Sequence, residues 1–173
     1  MIEINGICGN INSDKALKSK HLEMAKNGKA ESILLTRNES EKSRMRKVSD
    51  KGTEVALSMP AGSCLNDGDV ILLDDDRMII VKLQSESVAL VTILQNTSNE
   101  NLLATAVKIG HIIGNLHRPI RIEGNRIYFP IQALSEIELF EKLFANLRDH
   151  LEIKSDEMVF HAEHEYNVHE HQN

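Results

Sequence analysis

Residues 97–129 read TSNENLLATAVKIGHIIGNLHRPIRIEGNRIYF, and this stretch decides the fold of the second half of the chain. Glu100 lies three positions after Thr97, which is the spacing of a helix capping box. The helix that follows is predicted to stop near Gly114, a residue suited to the left-handed position after a helix. Four apolar residues share one face of it: Leu102, Ala106, Ile109 and Ile113. Residues 120–122 and 126–129 then predict a β-hairpin around Glu-Gly-Asn.

The flanking segments extend this pattern on both sides. Residues 87–94 form a strongly apolar run typical of a strand. After the hairpin comes an amphipathic helix with one apolar face, and residues 152–160 can supply a last strand. That apolar face comprises Leu134, Ile137, Phe140, Phe144 and Leu147. The order is β-α-β-β-α-β, the ferredoxin-like arrangement.

The first half of the chain has a different sequence pattern, in which short β-favouring runs are separated by turns. Strands are predicted at 32–36 and 53–58, a hairpin at 70–73 and 78–83, and one helix at 14–25. The sequence therefore predicts an α+β protein: a β-rich N-terminal domain (1–84), a ferredoxin-like C-terminal domain (85–160) and a flexible histidine-containing tail (161–173).

Composition narrows the class of function. The net charge of −6 argues against nucleic acid as the main partner. No apolar run reaches the roughly 18 residues of a membrane span, and the first residues do not resemble a secretory signal, so we expect a cytoplasmic protein with no membrane partner. Cys8 and Cys64 are expected to be reduced and at least half-buried, without a chemical role. The basic cluster of Lys42, Arg44, Arg46 and Lys47 fits a solvated face or, alternatively, a docking patch for an acidic partner.

Two histidines near the end of the central helix are the first metal-ligand candidates. His111 and His117 are six residues apart, or about 240° around a helix, so they cannot chelate one ion from a shared helical face. If His117 binds metal, its partners must come from elsewhere. A second copy of the chain is the economical source, because a residue near a two-fold axis meets its own symmetry mate.

Four more histidines, His161, His164, His169 and His171, lie in the last thirteen residues beside glutamates. Metal binding is the favoured interpretation of this segment, and a solvated low-complexity end is the alternative. Imidazole ligation suits Ni(II), Zn(II) and Cu(II), and the chemistry alone does not select nickel.

The stretch Gly110–Pro119 resembles the Gly-Asn-x-His motif of UreE-type urease accessory proteins, which are nickel metallochaperones. Four upstream segments are similar to the N-terminal part of that family, in the right order. They are Thr36-Arg37, Arg44-Met45-Arg46, Ser49-Asp50-Lys51-Gly52 and Leu65-Asn66-Asp67-Gly68-Asp69-Val70.

The resemblance implies a homodimer in which His117 and its symmetry mate bind Ni(II) as cargo, with help from the histidine-rich tail. His111 matches the family pattern less securely. The implied partners are the urease accessory GTPase (UreG) and the urease apoprotein complex, and no reaction is catalysed. A general nickel, zinc or copper buffer is the alternative, and a small metal-dependent hydrolase using His111 and His117 is a weaker one.

Overall fold

The computed structural model describes residues 1–94 and 99–161, with side chains described from residue 101 onward in the second range. The chain forms two compact units, Met1–Gln84 and Ser85–Asn173. Both combine helices with β-sheets, so the α+β class is confirmed.

The first unit contains two sheets, one with strand order β1-β5-β4 and one with order β2-β6-β7-β3. Its elements are β1 (Ile2–Ile4), β2 (Gly9–Asn10), α1 (Lys15–Lys26), β3 (Ala30–Leu35), α2 (Arg37–Ser40), β4 (Arg44–Val48), β5 (Glu54–Ser58), β6 (Asp69–Leu73) and β7 (Met78–Leu83). The predicted hairpin is present as the antiparallel pair β6 and β7, whereas β3 pairs with β7 in parallel. The predicted helix is present as α1, where the Asp14 carboxylate caps two backbone N–H groups of the first turn.

The Asn-Asp-Gly-Asp segment, residues 66–69, forms a corner that is fixed by its own carboxylates. Asp67 Oδ1 accepts a hydrogen bond from the Leu83 N–H at 2.9 Å, and Asp69 Oδ2 accepts one from the Asn66 N–H at 2.7 Å. Gly68 has φ +83°, and a Cβ there would lie 2.5 Å from Asn12 Nδ2. Glycine is therefore required for both conformation and space.

A buried carboxylate, Glu31, organises the turn at residues 49–53. Its Oε2 accepts a hydrogen bond from Ser49 Oγ at 2.5 Å, and its Oε1 lies 3.3 Å from Arg77 Nε. Burial acts to raise the pKa of Glu31, but hydrogen bonds from Ser49 and Thr53 and the charges of Arg77 and Lys51 outweigh it, so the pKa lies below its ordinary value.

Replacing Glu31 with glutamine is expected to lower the free energy of unfolding at pH 7 by about 1–2 kcal/mol, since charged hydrogen bonds become neutral ones. The pKa of Glu31 is lower in the folded than in the unfolded chain. Its stabilisation is therefore complete above the ordinary pKa of 4.5 and is lost as the pH falls through the folded value. Urea titrations should show the wild type and Glu31→Gln converging in stability as the pH falls below 4.5. An equal difference at neutral and acidic pH would contradict this account.

The second unit contains one antiparallel sheet of strand order β11-β8-β10-β9, with the element order β-α-β-β-α-β. Its elements are β8 (Glu86–Ile93), α3 (Asn99–Asn115), β9 (Arg121–Glu123), β10 (Arg126–Pro130), α4 (Glu136–Leu143), a 3₁₀ turn (Ala145–Leu147) and β11 (Leu151–Met158). Alternate residues of β8 and β10 pack against α3 and α4 in one core, where the Phe129 and Phe140 rings meet edge to face at 4.6 Å. On the opposite sheet face, Phe160 packs against Val88 and Tyr128.

In each of the two predicted apolar helix faces, the first residue is exposed rather than buried. Leu134 precedes α4 and is 65% exposed, and Leu102 in α3 is 40% exposed. Phe144 and Leu147 are buried as predicted, although they follow α4, because the three-residue repeat of a 3₁₀ turn keeps positions i and i+3 on one face. The capping box at Thr97 and the tail beyond His161 lie outside the described residues.

The two cysteines also differ from expectation, because Cys8 and Cys64 are both exposed. Cys8 directly precedes β2, and Cys64 lies in the loop between β5 and β6. Cys64 Sγ lies 3.7 Å from the hydroxyl of Ser40.

Candidate metal centre

His117 lies just beyond the end of α3, at the left-handed position of a Schellman motif. Its N–H donates to the carbonyl of Gly114 at 3.0 Å, and the Arg118 N–H donates to the carbonyl of Ile113 at 3.4 Å. This pair of bonds defines the motif. Within residues 1–94 and 99–161, His117 is the non-glycine residue with positive φ, at +52°.

The expected terminating residue, Gly114, is still part of α3. The helix ends at Asn115, so the prediction that it stops near Gly114 is confirmed, but the left-handed residue is His117 rather than Gly114, and Pro119 gives the physical reason. A proline disfavours the α conformation in the residue before it, so the chain must leave the helix by Arg118, whatever residue stands at position 114. A histidine where glycine is normally found costs conformational energy, and such residues cluster at functional sites.

The imidazole of His117 is exposed and lies at the C-terminal end of a helix. The last carbonyls of a helix give that end a partial negative charge, which favours a bound cation. His117 can therefore act as a metal ligand without the cost of burying an ion.

His111 is exposed on the last turns of α3, and its ring is already engaged. Its Nε2 lies 3.1 Å from Nδ2 of Asn115, one helical turn further on. A metal bound through Nε2 would have to displace that contact. Among the described residues, no three His, Cys, Asp or Glu side chains come together as a metal site, so neither His111 nor His117 belongs to such a group within one chain.

One exposed face of α3 is apolar. Leu103 is 70% exposed and Val107 is 62% exposed. Gly110 and Gly114 continue the same face at positions i+7 and i+11 from Leu103, and a Cβ at either would meet nothing within 4 Å. His111 lies beside this face, and His117 lies just beyond its C-terminal end. A solvent-facing apolar stripe of this kind is typical of a protein–protein interface.

The sheet register brings the start of the tail to the same end of the unit as His117. Met158 of β11 pairs with Glu86 of β8, so β11 ends where β8 begins. The loop that holds His117 leads into β9 at that end, where Arg121 pairs with Tyr128. His161 is exposed there, directly after the buried Phe160. His164, His169 and His171 lie outside the described residues.

The basic cluster of the first unit lies on and just before β4, the edge strand of its sheet. Lys42, Arg44 and Arg46 are exposed. Lys47 instead binds Glu39 at 2.8 Å, and its hydrogen bond, with one from the Thr36 backbone, lowers the pKa of Glu39 to about 2. The positive surface of this cluster is therefore carried by the three exposed side chains.

Sequence reasoning missed Arg118, whose side chain contacts Glu136 and the carbonyl of Pro130. The available signal was its position between a candidate ligand and Pro119, but its partners are distant in sequence.

Comparison with known proteins identifies relatives. Residues 4–84 match the model of the UreE urease accessory protein N-terminal domain. The chain is 33% identical to a urease accessory protein UreE of Natronomonas pharaonis over 77% of its own length and 61% of the relative. It is 28% identical to urease accessory protein UreE 1 of Pseudomonas syringae pv. tomato over 79% of its own length and 88% of the relative. The first unit therefore carries a UreE N-terminal domain, and the chain is similar to urease accessory proteins named UreE over about three quarters of its length.

The chain spans about three fifths of the Natronomonas relative and a similar share of one from Yersinia intermedia, to which it is 30% identical. The relatives are named urease accessory proteins, which agrees with the expectation of an accessory protein rather than an enzyme. None of the helices in the described part of the chain is long and apolar enough to cross a membrane.

Proposed function

We propose that this chain is a UreE-type nickel metallochaperone that binds Ni(II) between two copies of itself and delivers it for assembly of the urease active site. The observation that carries the proposal is the exposed, left-handed His117 at the end of the apolar face of α3. One imidazole is too little for tight binding, whereas a symmetric pair supplies two ligands and leaves open positions for transfer.

The second unit would then be a ferredoxin-like domain for metal binding and dimerisation. Its element order and strand order support that assignment. The dimer would form through Leu103, Val107 and the two glycines of α3, because small residues let two helix backbones approach closely while leucine and valine supply apolar area.

The tail would supply further ligands to the same ion. It leaves the fold at the sheet end that holds His117, and its histidines His161, His164, His169 and His171 follow within a few residues. His111 would support the site through its contact with Asn115 rather than bind the ion itself. Zn(II) and Cu(II) can use the same imidazoles, so preference for nickel depends on supply and on the partners.

The first unit would bind partners, namely the urease accessory GTPase and the urease apoprotein complex, in the cytoplasm. The exposed basic side chains of Lys42, Arg44 and Arg46 would suit an acidic surface on such a partner. Similarity to proteins named urease accessory protein UreE supports these partners.

Nickel titration calorimetry on four full-length chains tests the metal site. They are the wild type, His117→Ala, a variant with the four tail histidines replaced by glutamine, and the combination. His117→Ala is expected to weaken nickel binding at least 100-fold in the chain whose tail histidines are replaced by glutamine. The loss should be smaller with the tail intact, because tail histidines can then serve as ligands. His21→Ala, in the first unit, is the matched control. If His117→Ala left the affinity unchanged in the chain with replaced tail histidines, a site formed by His117 and its symmetry mate would be excluded.

Transfer separates a chaperone from a metal buffer. The loaded chain is mixed with purified urease accessory GTPase, and the nickel content of each protein is measured after separation. A chaperone gives up nickel faster in the presence of the GTPase than in the presence of a chelator of equal affinity. Equal rates would favour the buffer.

A further inference from the structure

A partly buried ion pair holds the residue that follows His117. Arg118 Nη2 lies 2.8 Å from Glu136 Oε2, and Arg118 Nη1 donates to the carbonyl of Pro130 at 3.1 Å. The two side chains are 22% and 18% exposed. The other carboxylate oxygen of Glu136 accepts the Gln132 N–H at 2.9 Å. Arg118 therefore bonds to two acceptors, the Pro130 carbonyl and the Glu136 carboxylate, and the carboxylate is itself held by the Gln132 N–H.

These contacts join three parts of the second unit. Arg118 lies in the turn after α3, Pro130 is the last residue of β10, and Glu136 is the first residue of α4. A planar guanidinium that binds two acceptors in a defined geometry fixes orientation as well as position. On its other side Arg118 precedes Pro119, which further restricts its backbone.

His117 is thus held from both directions. The Schellman hydrogen bonds hold its N–H and that of Arg118 against the helix end, and the Arg118 side chain holds the chain on the far side. Without the second restraint, the backbone of His117 can leave the strained left-handed region, and its imidazole then moves away from the end of the α3 face.

We propose that Arg118 and Glu136 are positioning residues for nickel binding: they hold His117 in the left-handed conformation that directs its imidazole toward the symmetry mate. This inference rests on the proposed function. Neither side chain would touch the ion. Groups that orient a ligand in this way usually change metal affinity 10–100-fold when removed.

A purely structural ion pair makes a different prediction. It would change thermal stability a little and leave the nickel affinity of the folded chain unchanged. Nickel affinity and the conformation of His117 in the metal-free chain are therefore the two informative measurements.

The experiment uses full-length Arg118→Ala, Glu136→Ala and the double variant, each in the chain whose four tail histidines are replaced by glutamine. Titration calorimetry gives nickel affinity, and the Hα–HN coupling and Cα chemical shift of His117 report its φ in the metal-free protein. Arg77→Ala is the matched control, since it removes another partly buried ion pair, with Glu31 in the first unit. His117→Ala is measured alongside, to test the site itself.

Each single variant is expected to weaken nickel binding about 10–100-fold, the double variant no more than the stronger single, and the His117 signals to lose their positive-φ character. Arg77→Ala should leave both measurements unchanged. Unaltered nickel affinity in Arg118→Ala and Glu136→Ala, with a clear loss in His117→Ala, overturns the positioning role alone. If His117→Ala also leaves the affinity unaltered, the nickel site formed by His117 and its symmetry mate is overturned, and this inference falls with it.

Discussion

Replacing His117 with glycine is expected to abolish nickel binding between the two protomers and to raise the thermal unfolding temperature of the metal-free chain. Glycine has no Cβ to strain the left-handed conformation at φ +52°. Removing that strain should stabilise the second unit by about 1 kcal/mol, even though glycine has more freedom in the unfolded chain. For a unit of this size, that corresponds to roughly 4–8 °C.

The opposite signs of the two effects make this prediction specific. His117→Ala removes the imidazole but retains a Cβ, so it should lose nickel binding between the protomers without the gain in stability. Calorimetry of the metal-free proteins and nickel titration of the same samples provide both quantities. If His117→Gly were no more stable than His117→Ala, the left-handed assignment would be wrong.

Introducing glutamate at both Leu103 and Val107 is expected to convert the proposed dimer to a monomer and, in the chain whose four tail histidines are replaced by glutamine, to weaken nickel binding at least 100-fold. The two side chains are 70% and 62% exposed within one chain, so the substitution hardly disturbs the core. In a symmetric dimer through α3, however, it would place four carboxylates in an apolar contact, where burial of unpaired charge is strongly unfavourable. Loss of the dimer separates the two His117 imidazoles, so the affinity falls without any change to a ligand.

Light scattering with size-exclusion chromatography measures the mass, and nickel titration measures the affinity. Leu22→Glu is the matched control, because Leu22 is 54% exposed on a helix of the first unit. It should leave both mass and nickel affinity unchanged. A Leu103→Glu, Val107→Glu chain that remains a nickel-binding dimer would show that another surface forms the interface.

Local sequence signals gave the element order of the second unit, but in the first unit they identified only α1, β3, β5, β6 and β7 and missed β1, β2, α2 and β4. Alternating or continuous apolar runs placed β5, β6, β7 and β8. These signals act over a few residues and are visible in a single sequence. The boundaries were less secure: Phe144 and Leu147 are buried as predicted, yet they lie beyond α4 in a 3₁₀ turn.

Burial was harder to predict than periodicity. Leu102 and Leu134 belong to apolar patterns but face solvent, and Cys8 and Cys64 are exposed although cysteine is usually buried. Periodicity shows which residues share a face. It does not show whether another element covers that face.

By itself, the sequence determined that His117 is a metal-ligand candidate that needs partners from outside its own helix. The number of residues between His111 and His117 was sufficient for that conclusion. The tertiary structure showed that Gly114 stays inside α3 and that His117 takes the left-handed position, with Pro119 as a local cause. Only it brought Arg118 to Glu136 and Pro130, because these contacts join residues 12 and 18 positions apart through the packing of three elements.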